Sequence, residues 1–127
     1  MEKKITTVRE PARDIPVRAS ADILIVGGGP AGLMAAQAAA GEGLKVMLIE
    51  SRGAASGHRP CKLHVSLTII DPEESKTLAQ QLMEEAGVEV LMYVFCTDVI
   101  REGNEVKGVV IESKAGREAI LARTVID

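Results

Sequence analysis

Apolar residues along this chain form short runs that are separated by turn residues and by two helical segments. The first run, Ile23–Val26, is aliphatic and mostly β-branched, which predicts a buried parallel strand. The segment from Pro30 to about Gly41 consists almost entirely of small residues, which predicts a helix that can pack closely on a sheet. Residues 45–50 then predict a second strand.

A second helix is predicted with clear signals at both ends. Asp71 is a suitable N-cap, Pro72 fits the first helical position, and Glu74 can complete a capping box. Gly87 is expected to end the helix, since glycine commonly occupies that position. The apolar stripe between these ends consists of Leu78, Ala79, Leu82, Met83 and Ala86.

The remaining apolar runs are extended segments without a further helix. Residues 88–92 predict a third parallel strand, and residues 94–101, 106–113 and about 118–121 predict antiparallel hairpins. Residues 124–126 would return to the sheet as a parallel strand. The predicted fold class is α/β, a parallel sheet with helices plus a three-stranded antiparallel β-meander.

Composition bounds the domain count and the possible partners. At 127 residues the chain supports one domain, which we place at residues 22–127, after an N-terminal extension at 1–21 that either packs as an arm or is disordered. One Tyr, one Phe and no Trp leave Val, Ile, Leu and Ala to form the core. The net charge of -3 argues against nucleic-acid and membrane partners. No run approaches the ~20 apolar residues of a membrane span, and a cytoplasmic location is expected.

The most informative motif is the glycine-rich turn at residues 27–32, between the first strand and the first helix. Gly27 would allow the tight turn, Gly29 would let the main chain approach a pyrophosphate, and Gly32 would let the helix pack on the strand. Pro30 suits the first helical position, where its missing N–H loses no bond. Free N–H groups and the helix dipole would then face the phosphates of a dinucleotide.

An acidic residue completes the motif at the end of the second predicted strand. Glu50 lies 18 residues after Gly32, close to the ~20 residues expected for a carboxylate that binds an adenosine ribose. The glycine turn and this acid together predict a Rossmann-like FAD/NAD(P)-binding domain. Such a carboxylate would repel a 2′-phosphate, which favours FAD or NAD over NADP. The alternative interpretation of Glu50 is a solvated carboxylate at a strand end.

The residues around Cys61 allow two other kinds of site, a metal site and a redox thiol. His58, Cys61 and His64 follow one another at intervals of three, which could bring metal ligands together, but no fourth ligand has an obvious spacing. Cys61 as a redox thiol has no partner cysteine nearby, since Cys96 belongs to a distant predicted strand. A basic, solvated loop is the simpler interpretation, so neither a metal site nor a catalytic residue is predicted.

The arrangement resembles FAD-dependent oxidoreductases of the glutathione-reductase-like superfamily. It is similar more narrowly to bacterial proteins called simply FAD-dependent oxidoreductases, which are relatives of the fumarate reductase flavoproteins. Residues 8–17 and 21–32 carry this resemblance, together with the stretch from Asp71-Pro72-Glu73 through residues 82–91 to Val125-Ile126-Asp127.

The resemblance implies roles for individual residues. The glycine turn would hold the FAD pyrophosphate, Glu50 the adenosine ribose, and Arg52 would lie near the adenosine. Ser56-Gly57 resembles a Gly-Gly pair that touches the phosphates, and Cys96 occupies a position, usually Val, whose backbone meets the adenine. The expected cofactor site consists of Gly27, Gly28, Gly29, Pro30, Ala31, Gly32, Glu50, Ser51, Arg52, Ser56, Gly57 and Cys96.

The chain also departs from that family. The segment between Ser56-Gly57 and the second helix is short, and the chain ends before the Ala-Thr-Gly-x-Gly-Asp type motif that would hold the ribityl chain. We therefore expect a fragment, a truncated gene product or an internally deleted derivative, catalytically silent alone and weak in flavin binding. Two functions remain open: the dinucleotide-binding part of an FAD-dependent oxidoreductase that performs flavin-mediated hydride transfer, or a non-catalytic module that binds NAD, ADP or FAD. Neither the small-molecule substrate nor the oligomeric state is predicted.

Overall fold

The computed structural model describes residues 5–53, 55 and 71–127, and for Pro72 only the backbone. Its elements, in chain order, are β1 (Val17–Val26), α1 (Pro30–Gly41), β2 (Val46–Ile49), α2 (Pro72–Ala86), β3 (Glu89–Leu91), β4 (Phe95–Glu102), β5 (Glu105–Ser113) and β6 (Gly116–Ile126). Ser56, Gly57 and the alternative ligands His58, Cys61 and His64 lie outside the described residues.

The strands form one six-stranded sheet in the order β3-β2-β1-β6-β5-β4. β1 pairs in parallel with both β2 and β6, and β2 pairs in parallel with β3. β5 pairs antiparallel with β4 and with β6. The predicted α/β class, with a parallel sheet and a three-stranded antiparallel meander, is confirmed.

Two strands are longer than the hydrophobic pattern predicts. β1 starts at Val17 and not at Ile23, and β6 is a single strand of 11 residues where two separate segments were expected. The reason is that β6 pairs on both sides, with β5 near its start and with β1 from Ala119 to Ile126. Each ladder supplies hydrogen bonds to backbone groups that the side-chain pattern alone leaves unassigned. The predicted boundary between residues 21 and 22 therefore falls inside β1.

The two helices begin and end where their capping residues predict. The Asp71 carboxylate accepts hydrogen bonds from the N–H groups of Glu73 (2.8 Å) and Glu74 (3.4 Å) at the start of α2. Gly87 ends that helix in the left-handed conformation, with φ of 73°. α1 begins differently, because its N-cap is Gly29, which has no side chain to close the first turn.

Alternate residues of the central strands face two separate hydrophobic cores. Ile25 and Leu48 belong to the core under the helices, which also contains Leu33, Ala36, Ala79 and Met83. Leu24 and Met47 belong to the core under the meander, which also contains Val109, Ile111 and Ile120. The carboxyl ends of β1 and β2 are thus held between the helices on one face and the meander on the other.

Candidate functional site

The turn after β1 has a conformation that requires glycine. Gly27 has φ of 108°, which side chains other than glycine rarely adopt, and its N–H donates to the carbonyl oxygen of Ile49 at 2.8 Å. This bond ties the turn to the end of β2. The role expected for Gly27 in turning the chain agrees with this geometry.

The start of α1 passes close to the same turn. A Cβ on Gly32 would collide with the carbonyl oxygen of Gly27 and would lie 3.4 Å from Cγ2 of Ile25. Backbone therefore packs directly on backbone, and the start of α1 is held immediately beside the strand. This is the close helix approach that the motif predicts.

Gly29 differs from both of these glycines. Its φ of -73° and ψ of 177° are open to any residue, and a Cβ there would meet no described atom within 4 Å. The described part of the fold therefore does not itself demand glycine at this position. The space in front of Gly29 lies at the N-terminus of α1, where the N–H groups of the first turn have no intrahelical partners. An open space beside such donors suits an anion.

Glu50 lies beside the glycine turn and is hydrogen-bonded to it. Its Oε2 accepts from the backbone N–H of Gly28 at 2.7 Å. Its Oε1 accepts from the N–H of Arg52 at 3.0 Å and from Oγ of Ser51 at 3.1 Å. The structure thus brings the acid, the turn and the two residues after the acid into one site, within the predicted set.

These hydrogen bonds decide the charge of Glu50. Partial burial acts to raise the pKa of the carboxyl, but the bonds from Arg52, Gly28 and Ser51 outweigh it, and the pKa is lowered from its ordinary value. The side chain is therefore a carboxylate at neutral pH. Each carboxylate oxygen can accept two bonds, so Oε2, which accepts one from Gly28, has capacity for a ligand hydroxyl.

Gly28, the variable position of the motif, is also sterically restricted. A Cβ there would lie 2.9 Å from both Oε2 of Glu50 and Cβ of Ala55. Sequence reasoning included Gly28 in the site but did not assign it this role, since the motif leaves the position open.

One residue of the site was missed by sequence reasoning. Tyr93 follows β3, and its N–H donates to the carbonyl oxygen of Arg52 at 3.2 Å. The next residue, Val94, donates to the carbonyl oxygen of Glu50 at 3.0 Å, so the segment after β3 runs along the segment after β2. An aromatic residue directly after the predicted strand at residues 88–92, in a chain with one Tyr and one Phe, was the available signal.

Cys96 lies on β4, opposite Ile111 of β5. Its thiol is exposed, 3.8 Å from the carbonyl oxygen of Asp98. Partial burial, followed by the charge of Asp127, raises the pKa of this thiol, so it is poorly suited to act as a thiolate. Among the described hydrogen bonds, none joins Cys96 to Glu50 or to the glycine turn.

Within residues 5–53, 55 and 71–127, no three His, Cys, Asp or Glu residues are grouped so as to hold a metal ion. The described helices include none with the length and apolar character needed to cross a membrane.

The fold and the glycine turn with its acidic partner define a Rossmann-type dinucleotide-binding protein. The sequence profile of the family described as FAD dependent oxidoreductase matches residues 22–58 and 52–127. This chain belongs to that family, and its cofactor is FAD. No curated protein matches the chain.

Solved structures share this fold over most of the chain. A geranylgeranyl bacteriochlorophyll reductase-like protein from Thermoplasma acidophilum is 22% identical with a TM-score of 0.69, over 84% of this chain and 38% of its own. THI4 of Thermovibrio ammonificans is 24% identical with a TM-score of 0.67, over 85% of this chain and 57% of its own. L-proline dehydrogenase from P. horikoshii is 26% identical with a TM-score of 0.63, over 90% of this chain and 23% of its own. The chain therefore spans less than two thirds of each of these proteins.

Proposed function

We propose that this chain binds the ADP half of FAD at the glycine turn and Glu50, as the nucleotide-binding part of an FAD-dependent oxidoreductase. The pyrophosphate would lie against the N-terminus of α1, and the hydroxyl groups of the adenosine ribose would donate hydrogen bonds to the Glu50 carboxylate. Bound FAD supplies the hydride chemistry of such enzymes, and the protein contributes binding, orientation and electrostatics. A small-molecule substrate for the whole enzyme is part of this proposal.

The observation that carries the proposal is the contrast between Gly29 and its neighbours in the motif. The folded backbone accounts for glycine at Gly27 by its positive φ and at Gly32 by a steric clash. No such reason in the described structure accounts for Gly29, whose φ is ordinary and whose Cβ position is open. A ligand that needs this space accounts for it, and a pyrophosphate on the adjacent N–H groups fits both the space and the charge.

The test separates ligand binding from folding by substituting Gly29 with serine. Serine is among the best N-cap residues, so Gly29→Ser is expected to keep or raise the thermal stability. Its Cβ nevertheless enters the pyrophosphate space, so we expect the affinity for FAD and ADP to fall at least about tenfold. Gly41→Ser is the matched control, because a Cβ at Gly41 also meets no described atom within 4 Å.

Glu50→Ala tests the ribose contact in the same titrations, with Glu85→Ala as the control for loss of one surface charge. Glu50→Ala is expected to weaken the binding of FAD, NAD and ADP alike. FMN lacks the ADP half, so it should not compete with ADP for binding to the parent protein. If Gly29→Ser and Glu50→Ala both bind FAD and ADP as well as the parent does, the site is assigned wrongly. The absorption spectrum of the purified protein distinguishes retained FAD from NAD, the alternative ligand of this site.

A further inference from the structure

Tyr93 has a backbone conformation that the fold does not require of a tyrosine. Its φ of 57° makes it the only described residue other than glycine with a positive φ. A side chain in this left-handed region costs about 1–2 kcal/mol, which glycine or asparagine would largely avoid. The bonds from Tyr93 to Arg52 and from Val94 to Glu50 hold the strained turn in place. Strain of this kind is concentrated at functional sites.

The side chain of Tyr93 gains little burial in return for this strain. It is 66% exposed, although it is among the largest apolar side chains of the protein. Its ring contacts Gly53, where a Cβ would collide with the Tyr93 hydroxyl group. Glycine at position 53 thus leaves room for the ring above the segment that follows Glu50.

We propose that the ring of Tyr93 is the surface on which the adenine base of the bound dinucleotide stacks. This inference rests on the proposed function, because it takes the position of the ribose from Glu50. A base is joined directly to the ribose, so it lies close to Glu50 and within reach of the segments that flank this residue. The described segments there are residues 51–53 and 92–94, which the Arg52–Tyr93 and Glu50–Val94 hydrogen bonds hold side by side.

The chemistry of the exposed ring suits this role. Bases stack on tyrosine rings with little dependence on base identity, because every base has a π-face. The ring is rigid and is already placed by the backbone turn and by Gly53, so little conformational freedom is lost on binding. Phe95, the other aromatic residue, is also exposed (58%) but lies on β4, and no described hydrogen bond ties its backbone to the segment after Glu50.

The chain offers a direct probe, because Tyr93 is its only tyrosine and it contains no tryptophan. The tyrosine fluorescence of the native protein therefore reports on this ring alone. We expect titration with ADP to quench this emission along the same curve that calorimetry gives for binding. ADP is preferred to FAD here because the flavin itself absorbs the tyrosine emission.

Variants distinguish stacking from a purely structural role. Tyr93→Leu is expected to weaken ADP binding by about 5- to 150-fold, the range for losing one base–aromatic stack, whereas Tyr93→Phe should retain most of the affinity. Inorganic pyrophosphate has no base. In the absence of ADP it should therefore bind the parent and the Tyr93→Leu protein with equal affinity. Phe95→Leu is the matched control and should bind ADP as the parent does.

Each outcome bears on the inference. Quenching by ADP, with an affinity loss confined to the ligand that carries a base, supports it. If ADP binds and Gly29→Ser weakens it, but Tyr93→Leu binds ADP normally or loses ADP and pyrophosphate equally, the stacking role is wrong while the proposed function stands. If the parent protein binds no ADP at all, the proposed function fails and this inference fails with it.

Discussion

At the scale of single residues, Glu50 has two roles: it is positioned to bind a ribose, and it is hydrogen-bonded to the glycine turn. The motif assigns its carboxylate to a ribose, but in the structure the same oxygens already accept hydrogen bonds from Gly28, Ser51 and Arg52. These bonds orient the carboxylate beside the glycine turn before any ligand arrives. A group held in its binding geometry in this way loses less freedom on association.

The same bonds predict a pH dependence of stability. Because the pKa of Glu50 is lower in the folded protein than its ordinary value of 4.5, its stabilising contribution is present above that pH. It is lost as the pH falls through the lower folded pKa. We expect the parent to have a larger free energy of unfolding than Glu50→Gln near pH 7, and this difference to shrink progressively below about pH 4.5.

Urea unfolding at a series of pH values measures this difference. Glu85→Gln, which neutralises an exposed carboxylate on α2, controls for the change in net charge. A gap between the parent and Glu50→Gln that is constant down to about pH 3 would show that the hydrogen bonds do not favour the carboxylate form of Glu50.

At the scale of elements, the site depends on how closely α1 approaches the end of β1. The hydrogen bond from Gly27 to Ile49 joins the turn to β2, and the collision that a Cβ at Gly32 would cause shows that the helix rests on the turn itself. The helix N-terminus and Glu50 thereby share one edge of the sheet. Small residues along α1 serve the same close packing, and of these Ala36 is fully buried.

Gly32→Ala is therefore expected to lower the free energy of unfolding by at least about 1–3 kcal/mol. The new Cβ would collide with the backbone carbonyl oxygen of Gly27, which cannot rotate away as a side chain could. Gly41→Ala in the same helix should be neutral or stabilising by up to about 1 kcal/mol, since its Cβ meets no described atom. Chemical denaturation of the two variants measures the contrast. Equal stability of the two variants would mean that α1 can shift away from the turn at little cost.

At the scale of the whole molecule, one sheet divides the interior into two cores. Ile25 lies in the core under the helices and Ile111 in the core under the meander, and both are almost completely buried. β6 joins the meander to the parallel strands without interruption, since it pairs with β5 and β1. We therefore expect the two layers to unfold as a single cooperative unit.

Matched substitutions in the two cores test this expectation. Ile25→Val and Ile111→Val should each cost about 0.5–1.5 kcal/mol, and the double variant should lose the sum to within about 0.5 kcal/mol. Both should shift one common transition, observed by far-UV circular dichroism and by tyrosine fluorescence. Separate transitions for the two variants would show that the meander unfolds independently of the parallel strands.

The amino-acid sequence by itself determined the features that depend on residues close together in the chain. The conformation of Gly27, the caps of α2 and the order of strand, turn, helix and acid follow from local backbone sterics and from side chains within a few positions of the groups they satisfy. These local features were sufficient to predict the class of fold and an acid directly after β2.

The tertiary structure alone decided the features that depend on contacts between distant residues. Tyr93 is more than forty positions from Glu50, and only the pairing of β2 with β3 brings it beside the site. The unbroken length of β6 likewise depends on partners on both of its sides, and the partners of the Glu50 carboxylate depend on how closely the turn approaches β2. Such contacts follow from packing and strand register, because a residue's neighbours across a sheet depend on which strands pair and in which register.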